Sequence, residues 1–173
     1  MRDIIKHRAV VRDDWIVLLL ADGDAADTIA VPAGKFIVPL AVWQAQRDGL
    51  ALRAELGVWL ASSDRPEVLK DDLDHFQVVA VDFPKFADGR GYSIAYNLRA
   101  RLGYQGELRA IGDVLRDQLF YMSRVGFDAF ATREDRDIHD ALKGLTDFSE
   151  AYQTSWDQKT PLFRRSQRPG AAA

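Results

Sequence analysis

An α/β fold of repeated strand–helix units on a mainly parallel sheet, partly (β/α)-barrel-like and preceded by short N-terminal strands, is predicted by three observations. Short apolar runs recur along the chain, each is followed by a stretch with helix signals, and Gly, Pro and Asp punctuate the joins. The spacing of the units, roughly 20 to 30 residues, is what parallel strands joined by crossover helices require.

The elements follow in order. Trp15 to Leu20 and Phe36 to Val38 read as short buried strands separated by the turn sequences DGDAAD and PAG. Leu40, Trp43 and Gln44 begin a short helix ending near Gly49, and Leu56 to Ala61 reads as the next strand. In Asp64-Arg65-Pro66-Glu67 an N-cap Asp precedes a Glu placed to reach back to the free backbone N–H, and Val68, Leu69 and Leu73 supply an apolar stripe. Val78 to Val81 is a strand. The helix after it, expected to start near Tyr92 or Ser93, carries Ile94, Ala95, Leu98 and Leu102 on one face, Arg99 and Arg101 in its last turn and Gly103 as terminator. Glu107 to Ile111 is the following strand. Gly112-Asp113 opens a helix with Leu115, Leu119 and Met122 that closes at Gly126, and Phe127 to Phe130 is the last short strand. Thr132 and Asp135 form a capping-box-like pair ahead of Ile138, Ala141, Leu142 and Leu145, which have the period of an amphipathic helix.

Four such units are about half of a full barrel, so an incomplete barrel and an open doubly wound sheet are both compatible with the pattern. The N-terminal strands are expected to cover one sheet edge, and a second copy of the chain the other, which makes a homodimer the expected assembly. Residues 1–156 are read as a single domain and 157–173 as a loose tail with few apolar anchors.

Bulk properties exclude several classes. With 173 residues and no Cys, the chain has no disulfides, thiolate metal sites or Cys nucleophiles, as suits a reducing cytoplasm. A net charge of -3 with both signs interspersed argues against a nucleic-acid binder. Arg12, Asp13 and Asp14 interrupt the apolar N-terminus, leaving only Trp15 to Ala21 unbroken, too short for a signal peptide or membrane span. The expected location is cytoplasmic.

In either β/α arrangement ligands sit at the carboxyl ends of the strands, so the informative stretch is VVAVDFPKFADGRGYS, Val78 to Ser93. It delivers Asp82, Lys85, Asp88, Arg90, Tyr92 and Ser93 to the mouth of a helix. Lys85, Arg90 and Arg116, beside that helix's free N–H groups and with Tyr92 and Ser93, are expected to gather round one hollow and hold an oxyanion such as phosphate, sulfate, sulfite or a carboxylate. Asp82 and Asp113 are the candidate catalytic bases should the protein be an enzyme, and Phe86, in a polar loop, is the candidate partner-facing residue.

Other chemistries fit less well. Gly89-Arg90-Gly91 fails as a dinucleotide fingerprint because Ile94 stands where the third Gly belongs and FPKFAD separates the glycines from the strand. There is no Walker A sequence and no nucleophile elbow. His139 and Asp135 share a helix face, but no third metal ligand is evident, and no metal site is expected.

The motifs FPKF, DGRGYS, GELRA, GDVLRDQ and GFDAF, within a stretch running from IVPLAVW to FSEAYQ, resemble the central motif of a bacterial family of unknown function commonly encoded beside sulfite reductase, whose members carry the label of oxidoreductases of sulfite reduction. The resemblance implies a role in assimilatory sulfite reduction with sulfite reductase as partner. The motif residues carried over are Phe83, Pro84, Lys85, Phe86, Asp88, Gly89, Arg90, Gly91, Tyr92, Ser93, Gly112, Asp113, Arg116, Asp117 and Gln118; no catalytic role comes with them. Sulfite reduction needs six electrons delivered through haem and iron–sulfur centres, and a chain without Cys or a flavin or nicotinamide fingerprint is expected to carry no redox cofactor. The expectation is therefore an accessory protein that binds an oxyanion or docks on the reductase. A small enzyme acting on an anionic substrate and a pure interaction adaptor are the alternatives.

Overall fold

The parallel strands lie side by side in chain order. In the computed structural model, which describes residues 2–165, an eight-stranded sheet runs β2-β1-β8-β7-β6-β5-β4-β3. Its strands are β1 (Arg2–Lys6), β2 (Ala9–Asp13), β3 (Ile16–Val17), β4 (Phe36–Pro39), β5 (Leu56–Leu60), β6 (Val78–Phe83), β7 (Glu107–Gly112) and β8 (Ala129–Phe130). From β3 to β8 every pairing is parallel, whereas β1 is antiparallel to both β8 and β2. A strand order that never reverses has no switch point, so the doubly wound alternative is set aside and the sheet curls as a barrel does.

The degree of curl follows from the chain itself. β2 and β3 occupy opposite edges of the sheet yet are separated only by Asp14 and Trp15, so the two edges must approach one another at that corner. One stretch of chain, 9–17, thus pairs with β1 through its first half and with β4 through its second. The Trp59 indole, on β5, donates to Leu18 O at 2.9 Å and holds the closing strand in place.

Side-chain alternation divides the sheet into two faces. Val38, Val58, Val79, Val81, Leu108, Ala110 and Phe130 point outward into the large core beneath the helices. The helices are α1 (Leu40–Leu50), α2 (Arg90–Ala100), α3 (Arg116–Val125), α4 (Ile138–Lys143) and α5 (Leu162–Arg165). Ile4, Ile37, Val78, Ala80, Ile111, Ala129 and Ala131 point into the concave face. Small residues there, Gly57, Ala80 and Ala129, leave space for the larger Arg109, Trp15 and Trp59. Among the described residues no helix is long and apolar enough to cross a membrane.

Several helix starts differ from expectation. Asp64 does not cap a helix; its Oδ2 accepts from Ala61 N in a tight turn, and 66–75 forms two 3₁₀ turns, too short for a helix stripe. α2 begins at Arg90, ahead of Tyr92. α3 begins at Arg116 because Asp113 is occupied elsewhere, and the Gln118 side chain accepts from Leu115 N in its place. Asp137, not Thr132 or Asp135, caps α4 by accepting from Asp140 N at 2.9 Å. Of the segment expected as a tail, residues up to 165 include α5, and Asp157 N donates to Arg124 O; residues 166–173 lie outside the described residues.

Candidate functional site

β6 sends successive side chains to opposite sides: Phe83 outward, Asp82 into the concave mouth. Phe83 is fully buried and meets Tyr92 edge-on at 5.3 Å between ring centroids. Gly91 lies directly against it, since a Cβ there would come within 2.6 Å of the Phe83 ring, so the second Gly of DGRGYS is explained by packing. Asp88 accepts from the Arg90 backbone N–H and from its guanidinium, which also donates to Ser62 Oγ at 2.8 Å. The Arg90 guanidinium and the Ser62 hydroxyl hold the Asp88 carboxyl well below the usual carboxylate range. The Asp-Gly-Arg motif thereby ties the start of α2 to the end of β5.

The segment between, Pro84 to Ala87, is held from beneath. Phe86 N donates to Asp113 Oδ2 at 2.8 Å, and Gln118 Nε2 reaches Phe86 O at 3.4 Å. Arg133 in turn donates to Asp113 Oδ1 at 3.1 Å. Asp113 is therefore a loop anchor with both oxygens engaged. Above these anchors Phe86 is 49% exposed, and so is Tyr121, whose ring packs on Tyr92 at 5.2 Å. Lys85 is exposed and makes no salt bridge among the described residues.

The cations expected round one hollow are placed apart. Arg90, with the exposed Ser93, borders a groove shared with Glu67 and Asn97. Arg116 borders a different hollow, where it pairs with Asp140 and Asp147, each at 3.0 Å. Lys85 borders neither. The Arg90 and Arg116 guanidinium groups each sit at the first turn of their own helix and are paired with carboxylates of their own neighbourhood, so their charges do not sum with that of Lys85 over a common point. His139 is exposed, and among the described residues no group of three or more His, Asp or Glu side chains converges as a metal site would require.

A second constellation lies in the concave face, and its centre is Arg109 on β7. The guanidinium is 2% exposed and donates to both carboxylate oxygens of Asp13, at 2.8 and 3.0 Å, and to Glu107 Oε1 at 2.6 Å. Lys6 Nζ meets the other oxygen of Glu107 at 2.6 Å. A charged ladder, Lys6–Glu107–Arg109–Asp13, thus crosses the inside of the curl. The sequence alone suggests only that Glu107 and Arg109 alternate with apolar residues in a strand, which ordinarily marks a solvent face; their burial follows from the curl.

Beside the ladder, where the parallel strands end, is a cavity of about 560 Å³. Trp15, Leu19, Ile111, Asp13, Arg109 and Asp82 are among its walls. Asp82 is half-buried, and among the described residues no donor hydrogen-bonds its carboxylate. Burial, assisted by the charge of Asp88, pushes its pKa up. Gly112 makes this close approach possible: its φ is +88°, and a Cβ there would stand 2.5 Å from Asp82 Oδ1 and from Phe83 O.

No curated protein and no solved structure matches the chain. A family model does, over residues 57–163, which takes in β5 from its second residue, all of β6 to β8, the anchored loop and Asp82. On that match the chain belongs to the family described as bacterial protein of unknown function (DUF934).

Proposed function

We propose that this protein is an accessory of sulfite reduction that works by docking on a partner protein, the reductase, through the loop that carries Lys85 and Phe86. The observation that carries the reading is the treatment of Phe86: both of its backbone groups are bound by motif side chains, Asp113 and Gln118, while its ring is left half exposed. A chain that ties down the backbone beneath an exposed aromatic ring has already met the backbone part of the ordering cost that association would otherwise impose. Aromatic anchors of this kind, surrounded by further apolar surface and a cation, dominate protein interfaces. Here Tyr92 and Tyr121 provide the surround and Lys85 the cation. The identity of the partner rests on the family resemblance, and the mode of action on the loop.

Calorimetric titration of the protein with purified sulfite reductase tests the reading. Saturable heat with the wild-type chain and its loss in Phe86→Ala are expected. No heat with the wild-type chain, or undiminished binding by Phe86→Ala, would overturn it.

A further inference from the structure

The geometry points to a second, separate binding site in the concave mouth, one that takes a small organic cation: an amine or amidinium carried on a flat apolar body, with the nitrogen on Asp82.

The charges of the cavity wall decide the sign of the ligand. Asp13 and Arg109 neutralise one another across two hydrogen bonds. Asp14 is paired with Lys35 at 2.7 Å, and Arg2 is engaged by Thr132 O and lies 3.6 Å from Glu134. Asp82 is the one carboxylate of the wall with neither counter-ion nor donor among the described residues, and the Arg2 charge is drawn outward to the exposed Glu134. A carboxylate in a partly dehydrated position gains most from a charge-assisted donor, and a cation restores what burial removed. An anion placed in the same space would face Asp82, and to be offset it would have to draw Arg2 away from Thr132 O and Glu134.

The rest of the wall decides the body. Trp15, Ile16, Leu19 and Ile111 present apolar surface, and Ile16 and Leu19 are 55% and 69% exposed. A volume of about 560 Å³ lies in the range of small-molecule sites, and the carboxyl ends of parallel strands are where barrel-like folds place their ligands. The site differs in chemistry and position from the Phe86 loop, so the two proposals stand or fall apart.

Benzylamine, benzyl alcohol and benzoate share a ring and differ in the charge of the substituent, which makes them suitable probes. Each is titrated into the full chain at pH 7 and followed by amide chemical shifts. Benzylamine is expected to shift the amides of Ile111, Gly112 and Ala131 saturably and to bind more than about tenfold tighter than benzyl alcohol, the advantage of a hydrogen bond between ions over one to a neutral donor. Asp82→Asn should reduce benzylamine to the affinity of benzyl alcohol. Tightest binding by benzoate, an unchanged benzylamine affinity in Asp82→Asn, shifts confined to other regions, or no saturable shift with benzylamine would each overturn the proposal.

Discussion

Arg109 reaches from the middle of the parallel sheet to grip both oxygens of Asp13, the last residue of the antiparallel edge strand, at 2.8 and 3.0 Å. The contact spans the inside of the curl and joins strands that share no backbone hydrogen bond. It fixes where the chain turns from β2 into β3, and so where Trp15 stands in the mouth.

Because the pair is buried, removing one member leaves the other charged and unpaired. Arg109→Met is expected to lower stability by about 3–5 kcal/mol in urea unfolding, since it strands Asp13 and weakens the hold on Glu107. The double variant Asp13→Leu/Arg109→Met should lose markedly less than the sum of the two single changes, because it removes the stranded charge as well. Additive losses would mean that the ladder is not coupled.

Asp82 should behave in the opposite way. Its folded pKa is raised, so the folded chain holds this proton over a pH range in which the unfolded chain has released it. The group therefore favours folding most below the unfolded pKa, and that contribution is lost as pH rises through the folded value. Asp82→Asn, which cannot ionise, is expected to be more stable than the parent at pH 7 and to lose this advantage as pH falls towards 3.8 and below. The groups in play are Asp88, whose charge adds to the shift, and the paired Asp13–Arg109, Asp14–Lys35 and Arg2, which remain as they are in both proteins. Denaturant midpoints of the two proteins at pH 7 and pH 3 measure the difference. A residue that costs stability yet stands at a cavity mouth is where function is expected to be stored.

The sequence made the outer half of this architecture legible and hid the inner half. Val79, Val81, Leu108 and the stripe of Ile94, Ala95 and Leu98 announce strands and a helix because their partners are the apolar side chains of adjacent layers, a relation that periodicity records. β1 and β2 do not read as strands: RDIIK and AVVRD mix charges with apolar residues, and only the curl turns Asp13, Glu107 and Arg109 into neighbours. Arg99 shows the same limit. Its place in the last turn of α2 suggests a solvated charge near the helix dipole, yet it is buried and donates to Tyr104 O, Gly106 O and Gly126 O and to Asp128, tying two loops together. The placement of the three cations beside different hollows was hidden for a related reason: spacing puts Lys85, Arg90 and Arg116 after strand ends but does not say which carboxylates the two arginines meet.

Gly91 separates packing from chemistry within the DGRGYS motif. Its φ is negative, so Ala is allowed by the backbone, but the new methyl would press on the Phe83 ring at 2.6 Å. Phe83 is fully buried and wedged between Tyr92 and Phe127, with ring centroids 5.3 and 5.8 Å away, and cannot retreat. Gly91→Ala should therefore cost about 1–3 kcal/mol, the usual range for overpacking a core. Thermal unfolding checks this, and an unchanged midpoint would show that the motif glycine serves some purpose other than close approach.

The anchored loop gives a test that separates holding Phe86 from being Phe86. Phe86→Ala removes a half-exposed ring and should leave stability within about 0.5 kcal/mol while weakening partner binding by more than about thirtyfold, as loss of an interface anchor does. Asp113→Ala leaves the ring in place but releases Phe86 N and Arg133. Its effect on binding should be smaller and should appear as a less favourable binding entropy, because the partner must then order the loop itself. Calorimetry on both variants against the reductase, with amide hydrogen exchange at Phe86 as the independent measure of loop order, distinguishes them: exchange should accelerate in Asp113→Ala and stay slow in Phe86→Ala. Slow exchange in both would mean that Asp113 does not hold the loop, and the case for a preorganised anchor would fail with it.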